Sequence, residues 1–182
     1  MKYPEVQLKI NCVPLGLEEQ DLCGIAEFAR KNPVHVRFIE MMPIGYGNMS
    51  ESISNEELKE TIRKHYGNLT EDFRVYGNGP AVYYSIEGFQ GNVGFISAMH
   101  GKFCDQCNRI RMTSTGQIKP CLCYSDSYDL RAVLRNPDLD ETFKLIKMKE
   151  IIIKSALAKP REHCFEHPEE ISEMKKMAMI GG

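Results

Sequence analysis

Residues 6–41 read VQLKINCVPLGLEEQDLCGIAEFARKNPVHVRFIEM, and this stretch decides the fold. Residues 6–13 form an apolar, partly alternating run that is typical of a β-strand and ends before a proline and a glycine. Between residues 17 and 30 the apolar side chains recur at helical spacing. Residues 34–41 form a second apolar run, which predicts another buried strand. Strand, helix and strand in this order predict a parallel βαβ unit.

Working outward from this unit, the sequence predicts a helix, a group of short strands and two more helices. Ser54 is followed three residues later by Glu57, a capping box that opens a helix over 54–66. Residues 73–97 contain short aromatic and β-branched runs between glycine-rich turns, which favours antiparallel strands. Residues 129–157 have helical patterns. From residue 159 the chain is polar and without strong periodicity, so we expect a mobile tail.

Only two parallel strands are predicted, so the strand at residues 6–13 is expected to leave an unpaired edge. Exposed edges of this kind are usually covered in natural proteins. We therefore expect the chain to be the later part of a longer α/β architecture, or to pair with a second copy of itself through this edge.

The composition bounds the class of protein. The 182 residues are 42% hydrophobic and 26% charged, which fits one globular domain with a core, or one domain with appendages. A formal net charge of -2 gives no whole-chain attraction for nucleic acid or an anionic membrane, so an anion site must be local. No apolar run approaches the ~20 residues of a membrane span, and the N-terminus lacks a signal-peptide core. We predict a cytoplasmic protein without nucleic-acid or membrane partners.

Residues 103–123, FCDQCNRIRMTSTGQIKPCLC, contain the strongest chemical signal. Cys104 and Cys107 form a C-x2-C pair, and Cys121 follows after thirteen residues. Two short strands around a turn at residues 114–116 would place Cys121 opposite Arg109 and Ile110. In the reducing cytosol, cysteines at this spacing favour a metal site over disulfides. The three thiolates are predicted to converge on one metal centre.

The spacing alone leaves the metal open. Four thiolates, with Cys123 as the fourth, would close a structural zinc site if residues 121–123 continue a regular strand. Three thiolates would leave one iron of a four-iron cluster free to bind substrate. The spacing of the cysteines favours zinc and an iron–sulfur cluster equally. The two sites differ in whether Cys123 is a ligand.

Two arginines in the same stretch predict an anion site. Arg109 and Arg111 are two residues apart on a predicted strand, so their side chains project from one face. Paired guanidinium groups suit phosphate or a polar base edge through forked hydrogen bonds. The alternative is an ordinary solvated strand face.

Residues 91–122, GNVGFISAMHGKFCDQCNRIRMTSTGQIKPCL, closely resemble the carboxy-terminal domain of the GTP 3′,8-cyclase family of molybdenum cofactor biosynthesis, which are radical S-adenosylmethionine enzymes. The resemblance extends through LKINCV, VRFIEMMPIG, DLRAVLR, KPREH and the terminal diglycine. It covers the whole chain. It implies the last βα units of an incomplete TIM-like barrel over 1–68, an antiparallel-sheet and helix domain for the cluster and GTP over 69–158, and a tail over 159–182.

The resemblance also implies roles for individual residues. Cys104, Cys107 and Cys121 would hold a [4Fe-4S] cluster whose free iron binds the purine of GTP. The residues implied to contact GTP are Lys9, Arg37, Arg109, Ile110 and Arg111. Met42 would pack near S-adenosylmethionine, and Gly181 and Gly182 would be threaded toward the active site, where residues without side chains fit a narrow channel.

Two departures from the family pattern limit what this chain is expected to do. The family's C-x3-C-x2-C motif, which holds the cluster that cleaves S-adenosylmethionine, is not in this sequence, and Cys123 stands where a noncysteine residue is expected. We therefore expect a chain that binds GTP and is inactive alone, so its status as an enzyme stays open. S-adenosylmethionine is expected only in a complete enzyme, and the missing amino-terminal portion is an expected partner. The alternative function is a zinc-stabilised four-cysteine interaction module without catalysis.

Overall fold

A computed structural model describes residues 6–180 apart from 17, 46, 48–52 and 102. The chain divides into two compact units. The first takes in the described residues up to 42 and from 53 to 103, and the second takes in residues 43–47 and 104–180. The boundaries of these units differ from those of the segments expected from the sequence, which are 1–68, 69–158 and 159–182. The expected segments stay a prediction about which part of the chain carries which function.

The first unit is a five-stranded sheet with two helices. The strand order is β1-β2-β5-β4-β3. The elements are β1 Lys9–Cys12, α1 Glu19–Lys31, β2 His35–Ile39, α2 Asn55–Tyr66, β3 Leu69–Asp72, β4 Val82–Ile86 and β5 Val93–Ile96.

The parallel βαβ unit predicted from residues 6–41 is confirmed, because β1 pairs with β2 in parallel. The prediction of only two parallel strands is wrong. Strand β5 runs parallel to β2 and antiparallel to β4, so the sheet is mixed and contains three parallel strands. The sequence of β5, VGFI, is almost wholly buried between its two neighbours and therefore lacks the alternation that marks a half-exposed strand. Strand β1 is at the edge of the described sheet, as expected.

The core of the first unit lies between one face of the sheet and the two helices. Phe38 of β2 and Phe95 of β5 stack with ring centroids 6.0 Å apart and are almost fully buried. Burying each ring contributes roughly 1.5–3 kcal/mol. The helical residues of the same cluster are Leu22, Ala26, Ala29, Leu58 and Ile62. The predicted capping box is confirmed, because the main-chain N–H of Glu57 donates to Ser54 Oγ and Ser54 N–H donates to Glu57 Oε2.

Glu40 follows β2 directly and joins three parts of the first unit. Its buried carboxylate accepts hydrogen bonds from the main-chain N–H groups of Met99 at 2.8 Å, His100 at 3.1 Å and Asn55 at 3.3 Å. Burial acts to raise the pKa of Glu40, but these hydrogen bonds outweigh burial and hold the pKa below its usual value. The carboxylate thereby fixes the start of α2 and the loop that follows β5.

The second unit is a small antiparallel sheet with two helices. Its strands are ordered β6-β7-β8. The bounds are β6 Arg111–Met112, β7 Gln117–Lys119, β8 Tyr128–Asp129, α3 Leu130–Leu134 and α4 Glu141–Leu157. The side chains of Asp129 and Asp140 cap the two helices, which confirms the helical prediction for residues 129–157. Within the described part of the chain, no helix has both the length and the apolar composition needed to traverse a bilayer.

The expectation of a mobile tail is wrong for residues 159–180, which we call the C-terminal segment. Three residues of this segment are buried in the folded chain: Cys164, Phe165 and Ile180. Its Glu173 forms an ion pair with Lys119 of β7 at 2.5 Å, and each side chain is only 3% exposed. The segment's polar composition concealed this packing, since its few apolar residues have no regular spacing.

The pKa shift of Glu40 predicts a pH-dependent effect of Glu40→Gln. A carboxyl whose native pKa is lowered contributes stability that is present above its unfolded pKa, about 4.3, and is lost as the pH falls through the native pKa. We expect Glu40→Gln to lower the free energy of unfolding by about 1–3 kcal/mol at pH 7. The difference from wild type should shrink below pH 4. Urea denaturation across pH measures this, and a difference that is constant with pH would contradict it.

The ion pair between Lys119 and Glu173 predicts non-additive mutational effects. Removal of one partner leaves the other charge buried, which costs about 3–5 kcal/mol. We expect Lys119→Met and Glu173→Gln each to cause such a loss, and the double variant to lose less than the sum of the two. Denaturant titration of all four proteins gives the coupling energy. Additive losses would show that the pair is not coupled.

Candidate functional site

The cysteine-rich stretch contains the predicted hairpin. Strands β6 and β7 pair antiparallel with Arg111 opposite Lys119 and Met112 opposite Ile118. Thr113 N–H donates to the carbonyl of Gln117 and closes the turn. Continued by two residues, this register brings Cys121 opposite Arg109, as predicted. The strand pairing itself ends at Arg111 and Lys119, so the site residues lie at the unpaired, open end of the hairpin.

The turn of the hairpin depends on a glycine. Gly116 has φ +82°, in the left-handed region that favours glycine. A Cβ there would also lie 2.7 Å from the Cβ of Arg131. The carbonyl of Gly116 accepts the N–H of Leu130 at 3.0 Å, so the turn is attached to the first turn of α3.

Cys104 and Cys107 are held in a tight turn. A 3-10 helix, Cys104–Gln106, carries the first cysteine, and the N–H of Cys107 donates to the carbonyl of Cys104 at 3.1 Å. Cys104, Cys107 and Cys121 are free thiols of intermediate exposure. They are therefore chemically available, unlike a core cysteine.

The three thiols interact electrostatically. Burial raises the pKa of Cys104, and the thiolates of Cys121 and Cys107 raise it further, while a hydrogen bond from the main chain of His163 and the charge of Lys159 lower it. The three predicted ligands are thus brought together in the second unit. Because soft thiolate donors suit zinc and iron–sulfur centres, this donor set fits such a group. Because a metal binds the thiolate form, binding such a group would release the proton that burial and the neighbouring thiolates favour on Cys104.

No group of three or more His, Cys, Asp or Glu side chains among the described residues is arranged to hold a metal ion. The three thiols interact through charge without forming a compact single-ion site.

Arg109 and Arg111 share the environment of these cysteines. Burial, and then the charge of Arg109, lower the pKa of Arg111, whereas the thiolates of Cys107 and Cys121 act to raise it. Ile110 lies between the two arginines and is 41% exposed. The two guanidinium groups form a positive region, and the charges of the Cys107 and Cys121 thiolates act on Arg111. An anionic ligand would offset the positive charge of the two arginines. A metal centre would offset the negative charge of the thiolates that bind it.

Cys123 differs from the three predicted ligands. The regular strand ends at Lys119, so the premise that Cys121 and Cys123 share a strand face does not hold. Cys123 is fully buried, and its sulfur accepts the N–H of Cys164 at 3.2 Å. Burial, followed by a hydrogen bond with the Cys164 thiol, raises the pKa of Cys123 to about 12. Cys123 therefore packs against Cys164 in this structure, whereas the three predicted ligands are partly exposed.

Lys9 and Arg37 lie in the first unit, on neighbouring strands. The register pairs Lys9 with His35 and Asn11 with Arg37, so the two basic side chains are on one face of the sheet. Arg37 Nε donates to Asn11 Oδ1 at 2.8 Å, and Lys9 Nζ donates to the carbonyl of Tyr76. Burial and the charge of Arg37 lower the pKa of Lys9. This face of the first unit therefore forms a basic cluster of its own.

The structure describes one of the three remaining predicted positions. Met42 is half-buried and lies beyond the end of β2. Gly181 and Gly182 lie outside the described residues.

Sequence reasoning assigned no role to Lys159. Its Nζ donates to the carbonyls of Arg109 at 2.8 Å and Pro120 at 3.0 Å, beside the proposed ligands. The sequence feature that could have identified Lys159 is its position directly after a long helix and before a proline, in the KPREH segment. The assumption of a mobile tail concealed it.

Taken together, the fold and the site define a mixed α/β protein with a hairpin whose open end carries three cysteines and two arginines. The family model described as Molybdenum Cofactor Synthesis C matches residues 34–165, and the chain belongs to this family.

Curated relatives support the same assignment. The chain is similar to proteins named GTP 3′,8-cyclase from Clostridium perfringens strain SM101, with 42% identity over 178 residues, and from Syntrophomonas wolfei, with 38% identity over 179 residues. These matches cover 97% and 96% of this chain but 54% and 53% of the relatives. A further relative of that name, from Trichodesmium erythraeum, is 44% identical over 71% of this chain and 40% of its own length. The chain thus spans about half the length of the curated relatives it matches, and the predicted resemblance is confirmed.

The contrast between Cys123 and the ligand cysteines predicts different results for serine variants. After anaerobic iron–sulfide reconstitution, Cys123→Ser should retain wild-type iron per chain, because the Cys123 thiol is fully buried and packs against Cys164. Cys107→Ser, the matched variant of a ligand, should lose most of it. Iron and sulfide analysis measures both. Loss of iron from Cys123→Ser, with an unchanged thermal midpoint, would mean that Cys123 is a ligand.

Proposed function

We propose that this chain is the GTP-holding part of a GTP 3′,8-cyclase and acts in molybdenum cofactor biosynthesis. The single observation that carries the proposal is the open end of the hairpin, where three interacting thiols lie with two arginines. The names of the relatives support GTP as the ligand. Within this proposal the chain binds and orients substrate, and the radical step belongs to the complete enzyme with S-adenosylmethionine.

The proposed metal group is a [4Fe-4S] cluster on Cys104, Cys107 and Cys121. When bound through three thiolates, such a cluster supplies one iron without a protein ligand, to which the purine of GTP can bind. The thiolates of a four-iron cluster bind different irons and are further apart than those of one zinc ion. The proposal therefore does not require the compact geometry of a single-ion site.

The chain's own residues orient the rest of the nucleotide in this proposal. Arg109 and Arg111 donate hydrogen bonds to polar or phosphate oxygens, and the exposed Ile110 offers an apolar contact between them. Lys9 and Arg37 of the first unit are the further proposed GTP contacts. Burial and like charge lower the pKa of Lys9 in one cluster and of Arg111 in the other, so an anion would relieve repulsion in each.

The remaining proposals concern the complete enzyme. We infer that β1 and β2, with α1, are the last βα units of a TIM-like radical-enzyme barrel. The exposed edge of β1 supports pairing with a preceding strand of an amino-terminal portion, or with a second copy of the chain. Met42 is proposed to pack near S-adenosylmethionine, and Gly181 and Gly182 to approach the substrate. The seven free thiols suit a reducing cytoplasm.

GTP binding to the reconstituted full chain tests the proposed function. We expect a brown protein with about three protected cysteines, because one iron of the four would have no protein ligand. The double variant Arg109→Ala/Arg111→Ala should keep its iron but bind GTP at least about 100-fold more weakly, since each guanidinium contributes charge-assisted hydrogen bonds.

The matched control is Arg135→Ala, which removes an exposed arginine at the end of α3 and should leave GTP affinity unchanged. Calorimetric titration gives the affinities. A colourless protein, or wild-type GTP affinity in the double variant, would refute the proposed function.

A further inference from the structure

Lys159 forms a bridge across the open end of the hairpin. Its ammonium nitrogen lies 2.8 Å from the carbonyl oxygen of Arg109 and 3.0 Å from that of Pro120, and both hydrogen bonds are partly buried. These acceptors belong to opposite arms of the hairpin. One ammonium group therefore connects the arm that carries the arginines to the arm that carries Cys121.

The bridge is located where the ladder between the strands has stopped. The last paired residues are Arg111 and Lys119. The next residue on this arm is Pro120, which has no N–H group. The carbonyl of Pro120 belongs to the peptide bond with Cys121, and the other acceptor is the carbonyl of Arg109 itself. The amine thus joins the two arms at Arg109 and at the residue before Cys121.

A rigid element carries Lys159 to this point. Helix α4 is 17 residues long and contacts strands β7 and β8. It ends at Leu157, and the N–H of Lys159 still bonds to the carbonyl of Ala156. Pro160 then stops any continuation of the helix. The base of the lysine side chain is therefore fixed relative to the same small sheet that its ammonium group ties together.

We propose that Lys159 is a positioning residue that sets the separation between Arg109 and Cys121 by clamping their two arms at the main chain. The inference rests on the proposed function, because the separation matters only if Cys121 holds the cluster and Arg109 holds the nucleotide. Lysine suits this role, since a compact ammonium with three donors serves two carbonyls at once. Loss of the clamp leaves every ligand present but frees the open end of the hairpin.

The first test measures the clamp without metal or GTP. Hydrogen–deuterium exchange is compared in the metal-free full chain for wild type, Lys159→Met and Lys149→Met. Lys149 is an exposed lysine of the same helix and serves as the matched control. We expect Lys159→Met to speed exchange at residues 107–111 and 121–123 by at least about tenfold, the factor that corresponds to losing a hydrogen bond from a charged donor. Exchange in β7–β8 and in α4 should stay as in wild type, and so should all exchange in Lys149→Met.

Lys159→Arg supplies the conservative variant and guards against a trivial folding defect. Arginine retains the charge and several donors, so it should restore at least half of the protection, on a logarithmic scale. If Lys159→Met does not fold, Lys159→Gln is used in its place. The glutamine side chain is shorter and neutral, so it cannot bond to both carbonyls as strongly as lysine does. Unchanged exchange at the open end, or faster exchange spread evenly over the second unit, would overturn the inference.

The second test joins the clamp to the proposed site. With the cluster reconstituted, we expect Lys159→Met to bind GTP about tenfold more weakly than wild type, which follows from the same lost hydrogen bond. Unaltered GTP affinity in a cluster-loaded Lys159→Met would overturn the positioning role. If wild type itself takes up no iron or binds no GTP, the proposed function fails, while the exchange experiment still decides whether the clamp exists.

Discussion

The ion pair between Lys119 and Glu173 is the contact on which the candidate site most depends. Both side chains are almost fully buried, and Lys119 also donates to the carbonyl of Tyr124 at 2.8 Å. A buried charge without its partner carries a large desolvation cost. The C-terminal segment and Lys119, the last residue of β7, therefore stabilise each other. The N–H of Glu173 also donates to the carbonyl of Cys123, which attaches the same segment to the chain just beyond Cys121.

This attachment gives the cysteine-rich hairpin its shape beyond the last paired residues. A two-stranded hairpin with ladders of two or three residues is marginal by itself. Here β8 extends the sheet, α3 receives the turn at Gly116, and Lys159 ties the open end. The ligand and arginine positions are therefore defined by elements that are distant in sequence. Surrounding elements of this kind can hold like charges near one another, which is the arrangement that perturbs pKa values at functional sites.

The first unit was largely predictable because its signals are local. Residues 6–41 have an apolar pattern with clear strand and helix periods, and Ser54 and Glu57 satisfy each other within one turn. The pairing of β5 was not predictable in the same way. A short buried strand bonds to β2 on one side and β4 on the other, and nothing in VGFI indicates direction, because strand direction is set by the chain path between elements.

Local sequence patterns were enough to predict the βαβ unit, the hairpin with its register, the helices after residue 129, and a candidate site of three cysteines and two arginines. Each of these depends on spacing along a short stretch of chain. The packing of Cys123 against Cys164 is apparent only in the folded chain, and so is the inclusion of residues 159–180 in the second unit. The same holds for Lys159, which bridges the arms of the site. These outcomes depend on burial and on hydrogen bonds between residues about 40 or more positions apart, and such contacts leave no periodic signal in the sequence.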